Sequence, residues 1–182
     1  IIINQGSKIK NVKKLNILEV GCADGARLAV VKGKLNCNCY GVEPSSIAIK
    51  NRIDKNIIIK KGIASKLNFN DKFFDIIIYG FCLYLVDISK LSDVFKEADR
   101  VSKDKSIIIV KDFYSKKSKV NNYKHFKNIK VHKYDFSKIF TWHPNYTLNN
   151  KIIYPYEDKK FKNDKLSIAT LIKSSNAGIK NS

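Results

Sequence analysis

The 182-residue sequence contains no methionine, only three prolines and one tryptophan, and no long hydrophobic run. Its longest nearly apolar stretch, residues 76–86, is too short to cross a bilayer as a helix, so no membrane span is predicted. The three isoleucines at the start are too few for a signal peptide. A chain that begins with Ile1 and lacks methionine is expected to be a fragment, or to lack its true start.

Arginine is scarce although the chain is strongly basic. The net charge is +19, yet only Arg27, Arg52 and Arg100 are arginines among the 35 basic residues, and all the others are lysines. Arginine is the residue whose planar fork reads phosphates and bases. Two interpretations therefore stay open: a surface that binds polyanions, or an excess of lysine, isoleucine and asparagine produced by an AT-rich coding sequence.

The four cysteines form no recognisable metal or disulfide pattern. Cys37 and Cys39 are separated by one residue, and no second pair or nearby histidine completes a zinc site. We therefore predict no metal, four free thiols and a reducing, cytoplasmic location. With an ordinary hydrophobic fraction of 44%, the chain is long enough for one domain.

A glycine turn between a strand and a helix is the most informative stretch. Residues 15–25 contain a short apolar run, an acidic residue and two glycines four positions apart. This pattern predicts a buried parallel strand with a ligand at its carboxyl end. Gly21 and Gly25 allow positive φ and leave no Cβ in the path of a ligand. A second strand ends at Glu43, before Pro44, and a carboxylate there accepts hydrogen bonds from both hydroxyls of a ribose, so the pocket suits a nucleoside.

Residues 17–25 resemble motif I of the class I S-adenosylmethionine-dependent methyltransferases, acidic-x-Gly-x-Gly-x-Gly, with Ala23 in place of the middle glycine. The resemblance covers residues 15–113, extends more weakly to 173, and is closest to small-molecule enzymes of the ubiquinone-biosynthesis type. It implies an α/β, Rossmann-like methyltransferase fold: a mostly parallel seven-stranded sheet with helices on both faces and an antiparallel last strand. It also implies S-adenosyl-L-methionine as cofactor and a small-molecule acceptor, methylated by in-line displacement. The implied cofactor-binding residues are Glu19, Gly21, Cys22, Ala23, Gly25, Glu43, Pro44, Ile63, Ala64, Tyr79 and Gly80.

Two later segments supply the last of these residues. Residues 62–69 resemble the family's loop after the third strand, with Ile63 where an acidic residue usually bonds the adenine amino group. The resemblance leaves the backbone groups of Ile63 and Ala64, and apolar contact with the ring, to recognise adenine. Tyr79 and Gly80 fall where the transferred methyl group lies in the family.

The catalytic candidates are less well defined. A base is needed only when the acceptor must lose a proton, and His125, His132, His143 and Tyr84 are the candidates. His125 comes first because it lies in the expected substrate cover, and Tyr84 stands where many family members carry a histidine. The expected division of the chain is an N-terminal remnant with a cofactor-covering helix at 1–14, the methyltransferase domain at 15–173 with a substrate-cover insert at 114–146, and a frayed tail at 174–182.

Three alternative functions stay open from the sequence. An RNA methyltransferase fits the charge of +19, although no Asn/Asp-Pro-Pro-Tyr/Phe motif follows the fourth strand. An NAD-dependent oxidoreductase would also place a carboxylate after the second strand, but its Gly-x-Gly-x-x-Gly fingerprint is absent. A non-catalytic cofactor-binding protein would explain the departures at Ala23 and Ile63. The oligomeric state is left open.

Overall fold

The computed structural model describes residues 2–6, 14–123, 130–157 and 163–174. No helix within these residues has both the length and the apolar character needed to cross a membrane. The helices are α1 (Ile2–Gly6), α2 (Ala26–Lys32), α3 (Ser46–Lys50), α4 (Leu91–Val101) and α5 (Lys138–Thr141), with 3-10 turns at Leu83–Leu85 and Ile88–Lys90. The strands are β1 (Leu15–Val20), β2 (Cys37–Glu43), β3 (Ile58–Lys61), β4 (Phe74–Gly80), β5 (Ser102–Tyr114), β6 (Lys119–Asn122), β7 (Lys130–Lys133), β8 (Tyr146–Pro155) and β9 (Lys165–Lys173).

Seven of these strands form one sheet in the order β3-β2-β1-β4-β5-β9-β8. Strands β1 to β5 pair in parallel, and β9 runs antiparallel to both of its neighbours, β5 and β8. The predicted mostly parallel, seven-stranded sheet with an antiparallel last strand is therefore confirmed. β6 and β7 form a separate antiparallel pair, which we call the ribbon.

Helices cover both faces of the sheet because its central strands are apolar on both sides. Every residue of β4 is buried. Ile76 and Ile78 belong to one buried cluster together with Leu28 of α2. Ile77 belongs to a second cluster, on the other face, together with Val94 of α4. A strand buried on both faces is typical of a parallel sheet between two helical layers.

Helix α4 also fixes the loop that follows β3. Arg100 donates hydrogen bonds to the carbonyl oxygens of Leu67 and Phe69, both at 2.8 Å. Glu97 accepts a bond from the N–H of Leu67 at 2.6 Å and pairs with Arg100. The second half of the loop between β3 and β4 is thus fixed against the last turn of α4.

The order in which strands are added to the sheet reverses between β1 and β4, although the two strands are parallel. From β1 the chain first builds outward to β2 and β3, and then returns to place β4 and β5 on the other side. In open α/β sheets, ligands bind in the crevice outside the carboxyl ends of the strands at such a switch point.

Candidate active site

A cavity of about 430 Å³ opens at this switch point. Six residues predicted to bind the cofactor line it: Gly21, Ala23, Glu43, Pro44, Ile63 and Ala64. They come from the ends of β1 and β2 and from the loop after β3, so three separate stretches of sequence meet here. The volume lies in the ordinary range for small-molecule and cofactor sites.

Glu43 is the buried carboxylate of this cavity wall. The residue is buried, and its Oε2 accepts a hydrogen bond from the N–H of Ala23 at 3.0 Å. Its Oε1 accepts a bond from the N–H of Ser45 at 2.9 Å. A carboxylate offers about four acceptor positions, so lone pairs remain on both oxygens for hydroxyl groups of a ligand.

The glycine turn brings backbone to the edge of the cavity. Gly21 has φ of +71°, and its N–H donates to the carbonyl of Val42 at 2.8 Å. A Cβ on Gly21 would overlap the Cβ of Cys82, so only glycine allows this close approach. Ala23 also has a positive φ, of +49°, although it carries a side chain. The turn is therefore held in a strained conformation at the ligand's edge.

Two structural observations indicate that the residues around this cavity fit a nucleoside cofactor. The first is the half-satisfied Glu43 carboxylate at the end of β2. The second is the cavity itself, whose edge is formed by the Gly21–Ala23 turn packed closely against Cys82. The apolar side chain of Ile63 and the buried Ala64 line the same cavity and offer a surface for the face of a base.

Glu19 and Gly80 lie next to this cavity but do not line it. Glu19 is buried, its Oε1 accepts a hydrogen bond from Arg27, and its Oε2 has no hydrogen-bond partner. Burial raises the pKa of Glu19 to about 7, against the lowering effect of the Arg27 charge. Gly80 leaves the space that the Arg27 guanidinium occupies, because a Cβ there would overlap it.

Three other predicted residues do not line the cavity. Cys22 is buried, and burial raises its pKa to about 12, so its thiol stays neutral. Gly25, with φ of +80°, is the N-cap residue that immediately precedes α2. Tyr79 is fully buried and packs against Phe140, with ring centroids 6.0 Å apart, so its side chain does not reach a ligand in this cavity.

A second cavity, of about 510 Å³, adjoins the first, and Phe81 lines both. Tyr84, a predicted catalytic residue, lines this second cavity and packs against Phe113, with ring centroids 5.2 Å apart. Burial raises the pKa of the Tyr84 hydroxyl above its usual range, so that hydroxyl stays protonated at neutral pH. The other catalytic candidate, His125, lies outside the described residues.

Sequence alone does not single out Phe81, Cys82 and Lys111, which line these cavities. Phe81 has φ of +61°, in the left-handed region that an aromatic residue rarely adopts. Its N–H donates to the carbonyl oxygen of Lys111 at 2.8 Å, which fixes this conformation. Only the topology of the sheet could have identified these residues, because they lie at the carboxyl ends of neighbouring strands.

Asp112 ties the wall of the second cavity to β5. Its carboxylate accepts hydrogen bonds from the N–H groups of Leu83 at 2.9 Å and Tyr84 at 3.3 Å. Burial raises the pKa of Asp112 to about 7, and these bonds act in the opposite direction. In the described residues, no group of three or more histidine, cysteine or acidic side chains is arranged to hold a metal ion.

Comparisons with known proteins agree with this geometry. Residues 18–110, just over half of the chain, match the family model described as a methyltransferase domain. A search among curated protein sequences finds no significant match. A SAM-dependent methyltransferase from Methanosarcina mazei superposes with a TM-score of 0.72 at 17% identity, covering 90% of this chain and 94% of that one.

Two further solved structures have similar folds. The 1,6-didemethyltoxoflavin-N1-methyltransferase of Burkholderia thailandensis, solved with 1,6-didemethyltoxoflavin and S-adenosylhomocysteine bound, has a TM-score of 0.72 at 12% identity, covering 95% of this chain and 78% of that one. The cyclase SpnF has a TM-score of 0.73 at 12% identity, covering 95% and 80%. At such identities the likeness shows the fold alone, since one fold carries several chemistries. The family match over residues 18–110 goes further: the chain belongs to the methyltransferase domain family, and the protein is an S-adenosylmethionine-dependent methyltransferase.

Proposed function

We propose that the enzyme transfers the methyl group of S-adenosylmethionine to a small-molecule acceptor by in-line displacement. The observation that carries this proposal is the second cavity, which shares the Phe81 wall with the cavity around Glu43. Its volume of about 510 Å³ suits a small molecule. An acceptor bound there would lie directly beside the cofactor, as an in-line transfer requires.

The residues that would hold the cofactor have distinct tasks. Glu43 would accept hydrogen bonds from the ribose hydroxyls, and the turn at Gly21 and Ala23 would lie against the methionine part. Ile63 and Ala64 would pack against adenine. The bound cofactor supplies a methyl group that its sulfonium already activates. The remaining task of the protein is to align the acceptor and exclude water, and alignment alone supplies ~7–11 kcal/mol.

A base is an additional requirement only for an acceptor that must lose a proton. We propose His125 as this base, because it belongs to the insert at residues 114–146 that the sequence predicts to cover the acceptor. Tyr84 fits another role better: its hydroxyl stays protonated at neutral pH and is hydrogen-bonded to Tyr123, so it would form part of the wall that orients the acceptor. The four cysteines, all free thiols, fit the cytoplasm as the proposed location.

RNA is the second candidate acceptor, and the net charge of +19 is the observation in its favour. The NAD-dependent oxidoreductase and the non-catalytic binding protein are no longer needed as alternatives, since the chain belongs to the methyltransferase family. The Burkholderia thailandensis enzyme is named for a small-molecule acceptor, 1,6-didemethyltoxoflavin, and this likeness supports the first candidate.

One experiment separates the two acceptors. The enzyme is incubated with S-adenosylmethionine labelled in its methyl group and with two pools, a metabolite extract and total RNA from the same cells. We expect the label in the metabolite fraction. The Glu43→Gln variant is the control, because label that persists undiminished with it does not depend on this site. Label in RNA at physiological salt, and none in metabolites, would overturn the proposal.

A further inference from the structure

The second cavity is lined mainly by aromatic rings. In the described part of the chain these are Phe81, Tyr84, Phe113, Tyr154 and Tyr156. Neighbouring rings meet edge to face: the interplanar angle is 74° for Phe81 and Phe113, and 88° for Phe113 and Tyr156. A flat conjugated molecule fits such a corner, because it stacks on one ring while its edge meets the face of the next.

One cation lies inside this aromatic wall. The Nζ of Lys111 is 5.0 Å from the centroid of the Phe81 ring. Burial lowers the pKa of Lys111, and the positive charge of Arg27 lowers it further. The nearby buried carboxylate, Glu19, is already paired with Arg27. Lys111 itself forms no ion pair with a carboxylate of any described residue.

An ammonium group in this position lacks a compensating charge. A partly desolvated cation is costly unless a negative partner reaches it, so the free energy of the site falls when a ligand brings an anion. Glu157, the other charged residue of the wall, is exposed at the end of the cavity formed by the segment after β8. A bound molecule with an acidic group can supply the negative charge that Lys111 lacks.

We propose that this cavity is the acceptor site, and that it selects a flat aromatic or conjugated molecule carrying one acidic group, whose negative charge meets Lys111. The inference rests on the proposed transfer to a small molecule, and it adds the chemical class of the acceptor. Phe81 connects the two sites, since it lines both cavities and its N–H donates a hydrogen bond to the carbonyl oxygen of Lys111.

Binding of three probes tests this selectivity. The full chain, saturated with S-adenosylhomocysteine, is titrated by calorimetry with 1-naphthoate, with cyclohexanecarboxylate and with 1-naphthylmethylamine. The first probe has both the ring system and the acid, and each of the others lacks one of them. We expect 1-naphthoate to bind at least tenfold more tightly than either of the other two.

Two lysine variants then assign the charge. Lys111→Met removes the charge and keeps an unbranched side chain that is one heavy atom shorter, and it should weaken 1-naphthoate binding at least tenfold. Lys60→Met is the matched control, because the Nζ of Lys60 also lies over a ring, 4.4 Å from the centroid of Phe69, but Lys60 lines neither cavity. It should leave 1-naphthoate affinity within twofold.

The outcomes separate this inference from the function on which it rests. If 1-naphthoate fails to bind, binds Lys111→Met as tightly as the unchanged protein, or binds no better than the other probes, the acceptor class is wrong. Titration with S-adenosylhomocysteine alone provides a separate readout. If 1-naphthoate binds in a Lys111-dependent way but no S-adenosylhomocysteine binds, the anion site stands and the proposed methyl transfer is wrong.

Discussion

Glu43 serves both the protein and the ligand. Each of its oxygens already accepts one backbone N–H, from Ala23 and from Ser45, and these bonds fix the shape of the two turns that border the cavity. The lone pairs that remain are the ones available to ribose hydroxyls. Removal of the carboxylate would therefore disturb the turns and the ligand contacts together.

We expect Glu43→Ala to weaken the binding of S-adenosylhomocysteine at least tenfold, since each hydrogen bond to a charged acceptor contributes about 1.5–3 kcal/mol. Calorimetry measures the affinity, and circular dichroism verifies that the variant is folded. Asp104→Asn is the control: it changes a carboxylate at the start of β5, which pairs with Lys72 away from the cavity. An unchanged affinity in folded Glu43→Ala would mean that the ribose is held elsewhere.

Asp112 makes the stability of the wall around the second cavity depend on pH. Burial raises its pKa from the usual 3.8 to about 7. The folded state thus holds the proton more tightly than the unfolded chain does. The contribution of Asp112 to the unfolding free energy is fully present below about pH 4 and is lost as the pH rises through about 7.

The difference in unfolding free energy between the unchanged protein and Asp112→Asn should therefore shrink as the pH rises from 5 to 8. The slope is at most ~1.4 kcal/mol per pH unit for one group. Urea unfolding at four pH values measures it, and the comparison cancels the titration of all other groups. If the two curves run parallel, the carboxyl is charged throughout this range and the raised pKa is wrong.

At the scale of the elements, strong local signals made parts of the fold predictable. β2 ends at Glu43 as the sequence predicts, because an apolar run stops there at a carboxylate and a proline. The ribbon was not predictable, because all four residues of β6 are exposed and no alternation between polar and apolar residues marks a buried face. Helix α4 begins only at Leu91, since the residues before it form a 3-10 turn at Ile88–Lys90.

The parts of the fold and site that the sequence did not predict depend on contacts between elements that are distant in the chain. Tyr79 lies in a strand that is buried on both faces, so alternation cannot tell which side chains turn toward a ligand. Its neighbour Gly80 faces Arg27 and Glu19, whereas Tyr79 packs against Phe140. Lys111 becomes a candidate only once β5 is known to lie beside β4, because nothing in its local sequence marks it.

The ribbon lies on the acceptor side of the site. Tyr123, just after β6, packs against Tyr84 with ring centroids 6.3 Å apart. Lys133 of β7 lies over Phe113, its Nζ 5.2 Å from the ring centroid. No residue of the ribbon lines the cavity around Glu43. The insert should therefore act on the acceptor and leave the cofactor site unchanged.

Replacement of residues 116–133 by a short Gly-Ser linker should leave the affinity for S-adenosylhomocysteine within a few fold. Methyl transfer to the labelled metabolite fraction should fall at least a hundredfold, because alignment of the acceptor is the main catalytic contribution. The exposed substitution Val120→Asn in β6 is the control and should change neither quantity. If the linker variant keeps its sheet but no longer binds S-adenosylhomocysteine, the insert belongs to the cofactor.

The whole molecule has a charge of +19, carried almost entirely by lysines. Lysine is a strongly hydrated point charge without the planar fork that matches phosphates and bases. Such a surface attracts any polyanion through released counterions, and this attraction is steeply salt-dependent. Charge alone therefore predicts weak and unselective RNA binding, whatever the acceptor.

A binding series with single-stranded RNA at 50, 150 and 500 mM salt tests this prediction. We expect weak affinity at 150 mM, no preference among sequences, and a slope of log K against log salt of about −0.7 for each neutralised phosphate. Replacement of the exposed Lys116, Lys117 and Lys119 by glutamine should make that slope shallower, by at most ~0.7 for each lysine, and should do so equally for every RNA. The contradicting result would be tight binding of one RNA sequence at 150 mM salt that is lost in this triple variant. It would mean that the lysines form a selected RNA-binding surface, and RNA would become the favoured acceptor.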